Sequence, residues 1–177
     1  MRSTLTLHPD AQCPAIERID VDVARPSSSV LELRYRMIGR LTAIVLPALV
    51  PPTRADDLWR HTCFEAFLRA VPGSGYRELN FAPSSQWAAY SFDGYREGIR
   101  TADPESLDIQ VARGDGFELA ARLTLDLPAT PWQVGLSAVV EQIDGTRSYW
   151  ALAHPPGKAD FHHPDGFALE LPAETQR

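Results

Sequence analysis

Apolar residues in this chain recur at every second position, in short runs that proline and glycine cut off. The clearest run is Val30 to Ile38: Leu31, Leu33, Tyr35 and Met37 fall on one parity, and Glu32, Arg34 and Arg36 on the other. Successive side chains of a strand point to opposite faces, so this pattern fits a half-buried strand and not a helix. Ile19, Val21 and Val23 repeat it, as do Phe117 to Leu125, Trp132 to Val140, and Phe167, Leu169 and Leu171 at the end. The 15 prolines and 11 glycines fall largely between such runs. Proline fixes φ and lacks a donor, and glycine supplies positive φ, so these places read as turns. No segment carries a helical apolar stripe of useful length. The pattern predicts an all-β fold, an antiparallel two-sheet β-sandwich with very little helix, formed by residues 1–177 as one domain.

The stretch from Asp57 to Arg96 holds two of the four tryptophans and three of the five tyrosines. It reads as three strands. Phe64, Ala66, Leu68 and Ala70 make a core face, with His61, Cys63, Glu65 and Phe67 opposite. Pro72-Gly73-Ser74-Gly75 turns the chain into a second run, which sets Leu79 and Phe81 against Tyr76, Glu78 and Asn80. After Pro83, the third run sets Tyr90 and Phe92 against Trp87, Ala89 and Ser91. If the bulkier apolar sets face the core, Glu65, Glu78, Asn80 and Trp87 gather on the opposite face, and Ala89 and Ser91 leave room above it. That face is a candidate ligand floor; a merely solvated outer face is the alternative, since antiparallel sheets commonly have one.

Composition narrows the partners. A net charge of −6 and no Lys/Arg cluster argue against a nucleic-acid surface. The most apolar stretch, Leu41 to Val50, is interrupted by Pro47 and is too short to span a bilayer, so no membrane role is expected. The N-terminus reads as no signal peptide, and the expected compartment is the cytoplasm. The two cysteines, Cys13 and Cys63, lack metal-type spacing and read as free thiols.

Phosphate-binding loops, dinucleotide fingerprints, nucleophile elbows and helical zinc motifs are all absent from the sequence. Carboxylates Glu65, Glu78 and Glu141, with Arg122, are the groups that could share the open face. Such groups serve glycoside hydrolysis at a defined separation, and they equally serve to hydrogen-bond sugar hydroxyls. The loop from His154 to Asp165 gathers three of the five histidines with Asp160 and Asp165. It suggests a divalent metal, but its spacing matches no closed metal site. Held stiff by three prolines, it is expected to pack on the sheet near Trp59 or Trp87, with Phe161 as anchor. Lys158, Asp160, His162 and His163 would then face the ligand.

The strings Leu58 to Leu68, Tyr76 to Pro83, Trp87-Ala88-Ala89-Tyr90 with Phe92 to Arg96, and His154 to Asp165 resemble the bacterial DOMON-like proteins, which are similar to family 9 carbohydrate-binding modules. The resemblance covers most of the chain beyond Val30. It implies a β-sandwich whose relatives bind sugars or haem. In the sugar-binding modules two tryptophans clasp the sugar, for which Trp59 and Trp87 are the candidates here. The haem-binding relatives use Met and His ligands, and this chain offers no loop Met. The resemblance adds Tyr95 and Arg96 to the expected binding residues, beside Trp59, His61, Glu65, Glu78, Asn80, Trp87 and Arg122. The expected function is non-catalytic binding of a small ligand, most plainly a saccharide, with no catalytic residue, metal ligand or cofactor assigned. The alternatives are a glycoside-processing enzyme using the same carboxylates, and a haem- or metal-binding carrier.

Overall fold

The computed structural model describes residues 1–173; positions 174–177 of the expected domain lie outside the described residues. The described chain forms twelve strands and three single 3₁₀ turns, and no α-helix. The strands are β1 (Arg2–Leu7), β2 (Ile16–Ala24), β3 (Val30–Gly39), β4 (Cys63–Ala70), β5 (Tyr76–Phe81) and β6 (Trp87–Phe92). They continue with β7 (Arg100–Thr101), β8 (Ser106–Arg113), β9 (Phe117–Thr124), β10 (Trp132–Glu141), β11 (Arg147–Ala151) and β12 (Leu169–Leu171). The 3₁₀ turns are Leu41–Ala43, Leu58–Arg60 and Pro164–Gly166.

All strand pairs are antiparallel and run in one order, β7-β6-β5-β4-β10-β11-β1-β2-β3-β9-β8, with β12 also on β10. Two separate sheets were expected from the pattern; the structure has one continuous sheet instead. The joint is β1. Its Arg2–Leu5 stretch pairs with β2, and Thr6 and Leu7 pair with β11. A strand that changes partner midway leaves no gap between the halves, and local alternation carries no trace of such a long-range choice.

The sheet curls until its halves meet. Tyr35 on β3 donates its hydroxyl to the Glu65 carbonyl on β4 at 2.6 Å, wholly buried. Phe64 on β4 stacks on Phe117 of β9, with ring centroids 5.4 Å apart. The alternating sets named above fill the space between: Leu31, Leu33, Tyr35, Met37, Phe64, Ala66, Leu68, Phe117, Leu119, Trp132, Val134 and Leu136 are buried. One strand departs from the expected parity. On β6 the register sets Ala89 beside Leu79 in the core and Tyr90 beside Glu78 on the outer face. Both parities of β6 carry apolar residues, so alternation alone could not choose; the β5–β6 register does.

Candidate functional site

Because Phe64, Ala66, Leu79, Phe81 and Ala89 point inward, their strand neighbours gather outside. Glu65 and Phe67 on β4, Tyr76, Glu78 and Asn80 on β5, and Tyr90 and Phe92 on β6 share one face. Ser137 and Val139 on β10 and Tyr149 on β11 extend it, since Ser137 lies opposite Glu65 and Tyr149 opposite Val139. Over this face opens a cavity of about 900 Å³. Glu65, Phe67, Glu78, Tyr90 and Phe92 form its floor, and loops form its walls. Asp56, Asp57 and Trp59 enter from around the second 3₁₀ turn, Arg96 and Ile99 from the β6–β7 connection, Lys158, Ala159, Phe161 and His162 from the segment after β11, and His8 and Asp10 from the segment after β1.

The floor carries two buried carboxyl groups. Glu65 is 2% exposed and Glu78 6%. Burial, with the charge of Glu78 adding to it, pushes the Glu65 carboxyl well above the usual carboxylate range. Burial also raises Glu78, against the opposing pull of the Asn80 amide and Arg96. Ser137 Oγ donates to Glu65 Oε2 at 3.2 Å, and Asn80 Nδ2 donates to Glu78 Oε1 at 2.8 Å. The Arg96 backbone N–H donates to the Tyr76 oxygen at 3.2 Å. This leaves the Tyr76 hydroxyl to donate to His162 Nδ1, 2.7 Å away, and sets the imidazole hydrogen on Nε2, 3.7 Å from Glu78 Oε2. Burial, and then the charge of Arg96, depress His162 to about 4, so its ring is neutral at physiological pH.

The loop after β11 is tied down along its length. His154 Nε2 donates to the Thr6 carbonyl at 2.9 Å. His8 accepts from the Asp10 N–H at Nδ1 and so donates from Nε2 to the Gly157 carbonyl at 3.0 Å. Asp160 accepts from Tyr95 at 2.5 Å and from Arg96 at 2.7 Å. Burial opposes its ionisation, but these two hydrogen bonds keep its carboxyl below the ordinary range. The His162 ring packs edge-on against Phe67 and Phe92, at 5.1 and 5.2 Å. Gly135 on β10 lets the Pro164–Gly166 turn come close: a Cβ there would stand 3.0 Å from the Gly166 carbonyl oxygen. Among the described residues three non-glycine positions have positive φ, and two of them, Asp57 and Arg96, line the cavity. Left-handed backbone of this kind clusters at binding sites.

The structure brings Trp59, Glu65, Glu78, Arg96, Lys158 and His162 of the expected residues to the cavity lining. Asn80 lies wholly buried beside the floor, and Tyr95 and Asp160 brace Arg96 from outside. Four expected residues stand elsewhere. Trp87 packs on the core side, because β6 has the opposite parity. Arg122 sits on β9 in the other half of the sheet, paired with Glu32. His61 turns its Nδ1 to Glu141 at 2.7 Å, outside the lining. His163 accepts from the Asp165 N–H and begins the last 3₁₀ turn. Cys63 is fully buried with Leu58, Ala82 and Ala88, and Met37 is fully buried in the core, so neither reaches a ligand. Among the described residues no group of three or more His, Cys, Asp or Glu suits a metal ion, and no helix is long and apolar enough to cross a membrane.

Sequence reading missed His8, Tyr149 and Arg147, which arrive through the β1–β11 pairing. It also missed Tyr90 and Phe92, assigned there to the core. The signal for these two was the acidic partner Glu78, which must stand beside Tyr90 in a hairpin of this register.

No family model and no curated protein matches this chain. Solved structures of similar fold do. One is a Bacteroides uniformis protein provisionally described as carbohydrate-binding, with a TM-score of 0.71, 12% identity, and coverage of 94% of this chain and 83% of that one. Another is a family 9 carbohydrate-binding module from Caldicellulosiruptor kristjanssonii in complex with glucose, with a TM-score of 0.54, 12% identity, and coverage of 95% and 81%. A family 9 module from the same organism in complex with cellotriose has a TM-score of 0.52, 13% identity, and coverage of 86% and 74%. At this identity the likeness is one of fold.

Proposed function

We propose that this chain is a non-catalytic binding domain for a saccharide, held over the face that carries Glu65, Glu78 and Asn80. The observation that carries this reading is the cavity itself, with buried hydrogen-bonding groups below and aromatic rings at the sides. A sugar ring has an apolar C–H face, which stacks on aromatic side chains, and a rim of hydroxyls, which need fixed acceptors and donors. Trp59, 47% exposed at the rim, is the ring best placed to stack. The complexes of similarly folded modules with glucose and cellotriose support the same ligand class. We read the curled sheet as a sandwich of DOMON-like type whose two layers are joined through β1. The unpaired Cys13 and Cys63 fit a reducing compartment, and on that ground we assign the domain to the cytoplasm.

A glycan array, followed by calorimetry on its strongest ligand, tests the reading. Trp59→Ala is expected to weaken binding about tenfold, the effect of one lost stacking contact. A blank array sinks the proposal. Turnover of a glycoside that Glu65→Gln abolishes would replace it with an enzyme.

A further inference from the structure

The cavity floor lacks a counter-charge. Most charges around the cavity are already matched: Asp56 with Arg54 at 2.9 Å, Asp57 with Arg60 at 3.2 Å, and Arg96 with Asp160 at 2.7 Å. At the mouth Asp10 stands with Lys158 and Arg147, all exposed. Glu65 and Glu78 remain, nearly inaccessible: His162 stands 3.7 Å from Glu78, and Arg96, whose charge also pulls on Glu78, is hydrogen-bonded to Asp160. That imidazole already accepts the Tyr76 hydroxyl's hydrogen bond at Nδ1 and carries no charge to offer.

The floor is also short of donors. Ser137 and Asn80 each supply one hydrogen bond to the carboxyl pair. Asn80 Oδ1, on a side chain that is 0% exposed, has no hydrogen-bond partner among the described residues. Asn80 faces Glu65 across the β4–β5 pair and lies on the same face as Glu78. A buried acceptor left unpaired is costly, and without a cation, burial holds the carboxyl pair toward its protonated form, which a bound cation would reverse.

An ammonium group suits the carboxyl pair, since it brings a positive charge and three N–H donors. We propose that the saccharide selected by this cavity is an amino sugar, with its free protonated amine seated at Glu65 and Glu78. The inference rests on the saccharide reading above. A hydroxyl in the same place supplies one donor and no charge. An acetamido group supplies one donor, no charge, and a methyl group for which the acidic floor has no use.

Three trisaccharides of one backbone separate these cases: cellotriose, its counterpart with three free amines, and its counterpart with three acetamido groups. Titrated by calorimetry at neutral pH, the free-amine form is expected to bind about tenfold or more tightly than either of the others. In the double variant Glu65→Gln, Glu78→Gln that preference should collapse. Equal affinity for the three, or tighter binding of an uncharged form, overturns the inference and leaves the saccharide reading standing. An amine preference that persists in the double variant also overturns it, since general attraction to an acidic protein then suffices. Failure of all three to bind, together with a blank glycan array, overturns the inference and the saccharide reading at once.

Discussion

Glu65 concentrates the physical oddity of this molecule. Its backbone carbonyl is an interior hydrogen-bond acceptor for Tyr35, while its side chain lies buried on the other face without a cation. The carboxyl is held well above its ordinary value by burial, so the folded protein binds this proton more tightly than the unfolded chain does. The sign follows from linkage. The contribution to stability is fully present below the unfolded carboxylate value and is lost as pH rises through the folded one. Glu65→Gln keeps the shape and the hydrogen bond to Ser137 but cannot ionise. Urea midpoints measured from about pH 5 to about pH 9 should therefore show the variant gaining on the parent protein as pH climbs. Parallel curves would mean that Glu65 is ionised and satisfied in the fold.

The segment between β11 and β12 has no strand of its own, yet it supplies four residues of the cavity wall. Phe161 lies against Tyr149 and His154, and His162 makes the closer contacts with the sheet, through Phe67, Phe92 and Tyr76. His162 titrates opposite to Glu65. Its folded value, about 4, lies below the ordinary 6.5, so its contribution is present above 6.5 and is lost as pH falls toward 4. The loss amounts to roughly 3 kcal/mol. His162→Gln should flatten the acid limb of the stability profile and cost about 1–2 kcal/mol at neutral pH, through the lost ring contacts. A variant with the same acid limb as the parent would show that some other group titrates there. Much of this element structure was legible in the sequence. β3 and β9 alternate apolar with mostly polar residues, and on these strands, as on β4 and β10, the core faces in the structure are those read from the sequence. Trp87 and Tyr90 changed places because β6 is apolar on both parities, and only cross-strand register decides between them. Arg122 looked available because alternation tells which residues point outward but not which side of the curled sheet they occupy. The position of His162 was legible only as membership of a histidine-rich loop, since its partners Tyr76 and Phe67 lie far away in sequence.

At the scale of the whole molecule, the joint at β1 makes one sheet of two halves, which the short antiparallel bridge of Ile44 with Gln142 also ties together. Phe64 on one half and Phe117 on the other stack with their ring planes 5° apart, and the Tyr35 hydroxyl crosses the same interior. Backbone continuity and a shared core together predict cooperative unfolding, with no stage at which β8, β9 and β3 are open while β4 and β10 stay closed. Phe64→Ala, which leaves a cavity between the halves, should cost about 3–5 kcal/mol. Hydrogen exchange under native conditions reads whether that cost is shared. If the molecule is one unit, the slowest amides of β9 and of β10 lose the same protection in Phe64→Ala, although only β10 is paired with the altered strand. If β10 loses protection and β9 keeps its own, the two halves fold as separate units and β1 is a tether between them rather than part of a common sheet.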